Sequence, residues 1–276
     1  MSIGGAPVSL LRTTDLTVRF GGVVANDHVD VTIEPGQVVG LIGPNGAGKT
    51  TFIDAITGYV NSTGQIELDG EDLRPLGPHV RAGRGLVRTF QSLELFEDLA
   101  VEDNILVAAQ SARWYDAFLD MLGRHKVSDD ERQRTDRALE LVGLTDVSRE
   151  NPANLSQGQR KLVGVARALA ANPRMVLLDE PAAGLDTAES LVLGRQIRSL
   201  PDAGATVLLI DHDMGLVLSI CDYLYVLDFG RIIAEGTPAE IRANPQVIQA
   251  YLGESAGAAQ EEAARGISDS GEEIAP

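Results

Sequence analysis

The stretch Gly43-Pro44-Asn45-Gly46-Ala47-Gly48-Lys49-Thr50 follows an apolar run, Gln37 to Ile42, and precedes a helical pattern, Thr51 to Thr57. The octapeptide fits G-x-x-x-x-G-K-[ST], and strand, turn and helix in that order are the context the motif needs. Glycines let the backbone turn so that successive N–H groups point into one concavity. The start of the following helix adds partial positive charge there. Such a cradle takes a polyphosphate, so Gly43, Pro44, Asn45, Gly46, Ala47, Gly48, Lys49, Thr50 and Thr51 are candidate nucleotide contacts. Lys49 is expected to reach the β- and γ-phosphates, and Thr50 to ligate Mg²⁺.

A second element answers the first. Val176-Leu177-Leu178 is a buried-strand pattern ending in Asp179-Glu180. Acids at the carboxyl end of a strand lie on the edge where open α/β sheets bind ligands. Phosphoryl transfer needs a metal holder and a group that orients or deprotonates water. Asp179 suits the first task and Glu180 the second.

Outward from these two points the chain alternates. Thr206 to Ile210 and Tyr223 to Leu227 are further apolar strands, with helical patterns between them, which predicts a mainly parallel sheet covered on both faces. Short β runs fill the beginning: Leu16 to Phe20, Val29 to Glu34 and Gly64 to Gly70. From about residue 92 the texture turns helical. Val101 to Gln110 reads as a helix, and Ser128-Asp129-Asp130-Glu131 is a capping box opening another that runs to about Val142. Asn151 to Asn154 reads as a loop. Residues 92–154 are therefore expected to form a small helical subdomain inserted in the α/β core, which resumes with a helix from Ser156 to Ala171.

The 276 residues carry a net charge of −17. That argues against nucleic acid as a partner and against direct docking on an anionic bilayer, since both rely on clustered Lys and Arg. The longest uncharged run, Pro35 to Gly48, is broken by proline and glycine, so no spanning helix is expected. The N-terminus lacks the pattern of a signal peptide. Cys221 is the only cysteine, which excludes an internal disulfide. It is expected in the helix before the strand Tyr223 to Leu227. Residues 254–276, rich in Ala, Gly, Glu and Ser, read as a disordered acidic tail. His28, His79 and His125 read as surface or packing residues, Trp114 and Tyr115 as core. Arg132, Arg134 and Arg137 read as a solvated helix face.

Leu155-Ser156-Gln157-Gly158-Gln159-Arg160 opens a helix about twenty residues before Asp179. With the phosphate loop and the Asp-Glu strand it resembles the signature of ATP-binding cassette (ABC) ATPases. Gln91, in Arg88-Thr89-Phe90-Gln91, resembles the Q-loop. Ala183-Gly184-Leu185-Asp186 resembles the D-loop, His212 the switch histidine, and Phe20 the aromatic that stacks on adenine. The resemblance covers residues 10–253. It implies a P-loop NTPase fold of the α/β class: a RecA-like core, an antiparallel β subdomain and the inserted helical subdomain. It also implies an ATP sandwich, in which Ser156, Gln157, Gly158, Gln159 and Asp186 serve the nucleotide held by the opposite protomer. Lys49, Gln91, Glu180 and His212 are the implied catalytic groups, and Thr50, Gln91 and Asp179 the implied Mg²⁺ ligands.

Local wording resembles one subfamily more closely. Arg88 to Gln91, Val101-Glu102-Asp103-Asn104, His212-Asp213-Met214 and Tyr251-Leu252-Gly253 are similar to the larger ATPase subunit of branched-chain amino acid importers. Relatives in that group serve urea or amide import and lipopolysaccharide export. Gln157, Asp186 and Asp211 depart from the usual residues of the subfamily. The implied partners are transmembrane permease subunits, a second ABC ATPase in a heterodimer or homodimer, and indirectly a substrate-binding protein. The implied location is the cytoplasmic face of the cell membrane. A soluble ABC ATPase of iron–sulfur cluster assembly is the alternative, against which the wording around Gln91 and the ending at Gly253 argue. DNA-repair relatives need coiled-coil or zinc insertions, and tandem translation factors need a second copy of every motif.

Overall fold

The apolar run before the glycine-rich turn becomes a strand with every residue buried, and it stands inside a six-stranded sheet. The computed structural model describes residues 9–89, 95–110 and 127–251. The sheet contains β3 (Val38–Ile42), β6 (Leu86–Thr89), β7 (Met175–Asp179), β8 (Thr206–Ile210), β9 (Tyr223–Asp228) and β10 (Arg231–Gly236). Their spatial order is β10-β9-β3-β8-β7-β6. All neighbours are parallel except the β9–β10 hairpin at the edge. The strands β3, β7 and β8 are buried throughout, as continuous apolar strands are when both faces of a parallel sheet are covered.

Alternate residues feed two separate cores. Val38, Val176, Leu178, Val207, Leu209 and Val226 point to one face. There they meet α3 (Val101–Ala109), α4 (Asp129–Leu141), α5 (Gln157–Ala170), α6 (Thr187–Ser199) and α7 (Met214–Ile220). Val39, Leu41, Leu177, Leu208 and Leu227 point to the other, where they pack on α1 (Lys49–Thr57) with Phe52, Ile53 and Ile56. That second core is closed by an antiparallel sheet of order β2-β1-β4-β5, made by β1 (Leu11–Phe20), β2 (Val23–Ile33), β4 (Thr63–Leu68) and β5 (Glu71–Asp72). Tyr225 ties the two sheets: its hydroxyl donates to Thr32 O and accepts from Thr32 N, both at 3.0 Å. The remaining helices are α2 (Pro78–Gly83) and α8 (Pro238–Ala243).

The expected elements are present, with β1 and β2 longer than the alternation alone marks. The capping box at Ser128 forms in both directions, Ser128 Oγ accepting from Glu131 N and Glu131 accepting from Ser128 N. Helices α3 and α4 pack against α5 and each other, so the helical layer is a three-helix unit leaning on α5. The reading of the arginines on α4 needs correcting. Arg134 and Arg137 are not merely solvated: they donate to Ala170 O and Ala203 O, clamping α4 onto neighbouring chain ends. His28 lies on the surface as expected, its ring nitrogens 3.3 and 3.6 Å from Asp15 and Asp27. Asn151 to Asn154 contains a single 3₁₀ turn, Pro152–Asn154. Trp114, Tyr115, His125 and the tail 254–276 lie outside the described residues.

Gly40 shows how closely α7 approaches the sheet. A Cβ there would stand 3.0 Å from Val217 Cγ1 on α7, 2.4 Å from Leu224 Cδ2 on β9 and 3.1 Å from Cys221 Sγ. Cys221, just past the end of α7, is buried, and that burial pushes its thiol up to about 12. The thiol should be inert to disulfide reagents at pH 8 in the native protein and titrate fully once guanidinium unfolds it. Its ordinary value is 9.0, so between about 9 and 12 the native state keeps a proton that the unfolded chain has lost. Unfolding titrations should show a stability contribution falling with rising pH in that window, absent from Cys221→Ala.

Candidate functional site

Three glycines shape the turn between β3 and α1. Gly43, Gly46 and Gly48 have φ of 151°, 77° and 105°. A Cβ on Gly43 would lie 1.9 Å from Leu227 O, and one on Gly48 would lie 2.4 Å from Ala25 O. Neither obstacle is a side chain that could swing away. The loop is held from behind by Gly230 N donating to Ala47 O and by Asn26 Nδ2 donating to Gly48 O. Gly48 is the N-cap of α1, without a side-chain cap and without an acid in the first turn. The helix therefore opens its amides and its dipole to the loop's concavity, while Asn45, Gly46 and Thr50 are exposed and Thr51 half-buried. Lys49 is buried, its Nζ donating to Gly43 O at 2.6 Å and Pro44 O at 2.8 Å. These donors and this shape fit a polyphosphate anion.

The carboxylates converge on the same sheet edge. Asp179 ends β7, is buried, and accepts from Arg88 Nη2 at 2.6 Å. Arg88 Nη1 donates to Asp54 on α1. Burial works against the guanidinium charge, but the bonds to Asp54 and Asp179 outweigh it and raise its pKa. Glu180 follows with φ +47°, its amide bound to Ile210 O at 2.7 Å. A left-handed backbone at a non-glycine residue is strained, and such strain gathers at functional positions. Asp179 and the hydroxyl of Thr50 are oxygen donors of the kind a hard cation such as Mg²⁺ prefers, although among the described residues no three His, Cys, Asp or Glu side chains are grouped to hold one.

His212 follows β8, its side chain 63% exposed and Nδ1 3.5 Å from Asp211 Oδ1. Asp211 itself is wholly buried. One of its oxygens accepts from Asp213 N and the other from Ala182 N, so it joins the histidine turn to the segment after Glu180. Phe20, 52% exposed, stands at the tip of the β1–β2 hairpin.

Ser156 caps α5, and Gln159 completes the cap by accepting from Ser156 N at 3.0 Å. The side chain of Gln159 is thereby engaged in the cap. Gly158 N donates to Glu189 Oε1 on α6 at 3.0 Å, and Asp186 caps α6 by accepting from Glu189 N. The signature turn and the start of α6 are thus joined in one chain, away from the phosphate loop. Gln157 is exposed beside Gly184. Gln91 lies outside the described residues.

Sequence reasoning passed over Arg88, Asp211 as a link, and Glu189. A charged residue in the short strand β6 was the available signal for Arg88, and an acid directly after a buried strand for Asp211. Nothing local marks Glu189. Between sheet and helical layer the structure also opens a groove of about 650 Å³, lined by Val87, Arg88, Phe96, Val165, Asp179 and Pro181. Arg167 lies over the Phe96 ring at 5.4 Å on its wall.

The comparisons agree with this geometry. The family model described as "ABC transporter" matches residues 26–183, and "Branched-chain amino acid ATP-binding cassette transporter" matches residues 231–257. The branched-chain amino acid transport ATP-binding protein BraF of Pseudomonas aeruginosa is 41% identical over 251 residues, 89% of this chain and 98% of that protein. LivG of Escherichia coli, of the same description, is 40% identical with the same coverage. Lipopolysaccharide export protein LptB of E. coli is 36% identical over 90% of this chain and 98% of that one. Among solved structures, the ADP conformation of MJ1267, an ATP-binding cassette of an ABC transporter, has a TM-score of 0.78 and 31% identity, covering 89% of this chain and 99% of that one. With a family model spanning over half its length and relatives of this identity along nearly all of it, the chain belongs to the ATP-binding cassette family of ABC transporters, and it is an ATP-binding, ATP-hydrolysing subunit.

Proposed function

We propose that this subunit drives import of branched-chain amino acids, with its hydrolytic site at the carboxyl edge of the parallel sheet. The observation that carries the site is the phosphate loop, closed to any side chain at Gly43 and Gly48, with Asp179 and Glu180 on the same edge. Lys49, already surrounded by carbonyl acceptors, would exchange them for β- and γ-phosphate oxygens. The amides of Gly46 through Thr50 would take the remaining phosphate oxygens. Phe20, exposed at its hairpin tip, would stack on the base, and Ser156, Gln157, Gly158, Gln159 and Asp186 would face the nucleotide of an opposing protomer. Thr50, Asp179 and Gln91 would hold Mg²⁺, which supplies charge neutralisation on the phosphates. Glu180, fixed by its strained backbone, would accept the proton of the attacking water, and His212 would orient that water against the terminal phosphate.

No helix among the described residues is long and apolar enough to cross a membrane. Attachment then falls to permease subunits, and the groove along Phe96, Val165 and Pro181 has the size and apolar lining for a short permease helix at the inner face of the membrane. A second ATPase would complete the sandwich. The import reading and its cargo are supported by the match over residues 231–257 and by the names of the relatives BraF and LivG.

The test is purification from detergent-solubilised membranes, followed by reconstitution of the recovered complex in vesicles. Two polytopic proteins, a second ATPase and leucine-stimulated hydrolysis are expected. Stimulation by a lipopolysaccharide instead would transfer the protein to export. Within that complex, Glu180→Gln should bind ATP normally and turn over about 10²-fold or more slowly, the scale of a lost general base. Lys49→Ala should weaken nucleotide binding itself by about tenfold or more, the scale of a lost charge-assisted hydrogen bond. Equilibrium binding of a fluorescent ATP analogue separates the two.

A further inference from the structure

Arg88 is the only residue of β6 that spans two acids on other elements. Its fork reaches Asp54 Oδ1 on α1 at 2.5 Å and Asp179 Oδ2 at the end of β7 at 2.6 Å. The three side chains are 10%, 29% and 9% exposed. Charge-assisted bonds of this length, drawn out of water, are strong and directional. The pairing is also specific to arginine. A planar guanidinium offers parallel donors to two acceptors, whereas an ammonium is a single point charge.

Asp179 needs such a restraint. Together with Arg88 it lines the 650 Å³ groove, so its carboxylate, though largely buried, borders open space on one side. Holding Oδ2 fixes the carboxylate plane and therefore the direction offered by the other oxygen. The anchor of the clamp, Asp54, sits one turn along the helix that begins with Lys49 and Thr50.

We propose that Arg88 is a positioning residue which, braced by Asp54, holds the Asp179 carboxylate in the orientation that serves Mg²⁺, and so couples metal holding to helix α1. The inference rests on Asp179 as a metal holder. Arg88 is assigned its effect through Asp179 and not through direct contact with the nucleotide. Outer partners of ligating carboxylates typically set metal affinity by 10–100-fold.

The test uses the full chain with a fluorescent ATP analogue and MgCl₂. Nucleotide affinity is measured in EDTA and then across a Mg²⁺ titration, with thermal midpoints recorded for every variant. Arg88→Gln should keep the EDTA affinity while its apparent Mg²⁺ constant rises about 10–100-fold. Arg88→Lys, able to serve one acid at a time, should fall between it and the native protein, and Asp54→Asn should shift in the same direction by less. A purely structural salt bridge would lower the thermal midpoint and leave the Mg²⁺ titration superimposed on the native one, which overturns the proposal. Should Arg88→Gln fail to fold, unshifted titrations in both Arg88→Lys and Asp54→Asn overturn it equally. Asp179→Asn separates the two levels. If it shifts the titration and the Arg88 variants do not, Arg88 has no positioning role; if it too is unshifted, the assignment of Asp179 fails first.

Discussion

One tight turn constrains this molecule more than any other feature. Between β3 and α1 the backbone passes so close to Leu227 O and Ala25 O that no Cβ fits at Gly43 or Gly48. Those two carbonyls belong to different sheets, one from β9 and one from β2. The loop is therefore gripped between the parallel and antiparallel sheets, and Gly230 and Asn26 add hydrogen bonds to its outer side. Inside the loop Ala47 N donates to Pro44 O and Lys49 Nζ to Gly43 O and Pro44 O, and its neighbours supply the rest of the grip. The Tyr225–Thr32 bonds keep the two sheets in the register that this grip requires.

Around that turn the acids are arranged by backbone as much as by charge. Glu180 holds a left-handed conformation with its amide bound to Ile210 O. Asp211 is sealed from solvent and bonded on both oxygens, binding the turn after Glu180 to the turn that carries His212. A change at either turn is mechanically felt at the other, since a fully bonded buried carboxylate cannot release one partner without a cost of roughly 1–3 kcal/mol. The same economy governs the signature turn, where Glu189 occupies the amide of Gly158 and Asp186 caps the helix that carries Glu189. These links make the site a set of coupled turns on a rigid sheet, suited to converting a change of ligand into a displacement of whole elements.

Much of this was legible in the chain because it is local. Strand and helix assignments followed from apolar runs and from Ser128-x-x-Glu131, whose atoms meet within one helical turn. The phosphate loop was legible because its chemistry is held in eight consecutive residues. The position of Asp179 and Glu180 on the sheet edge followed from their place after an apolar strand. By contrast, Arg134 and Arg137 read as solvated because their acceptors, Ala170 O and Ala203 O, are backbone groups far along the chain that carry no side-chain signal.

Sequence alone thus determined the family, the alternation of strand and helix, and the eight-residue phosphate-loop motif, since each depends on neighbours in the chain. Only the tertiary structure decided that β8 lies between β3 and β7, that Arg88 clamps Asp54 to Asp179, and that Asp211 joins the turn after Glu180 to the turn that carries His212. Those pairings close gaps of 34, 91 and 29 residues in the three bonds concerned. No periodicity encodes them, because they arise only when the parallel sheet brings the carboxyl ends of separate strands to one edge.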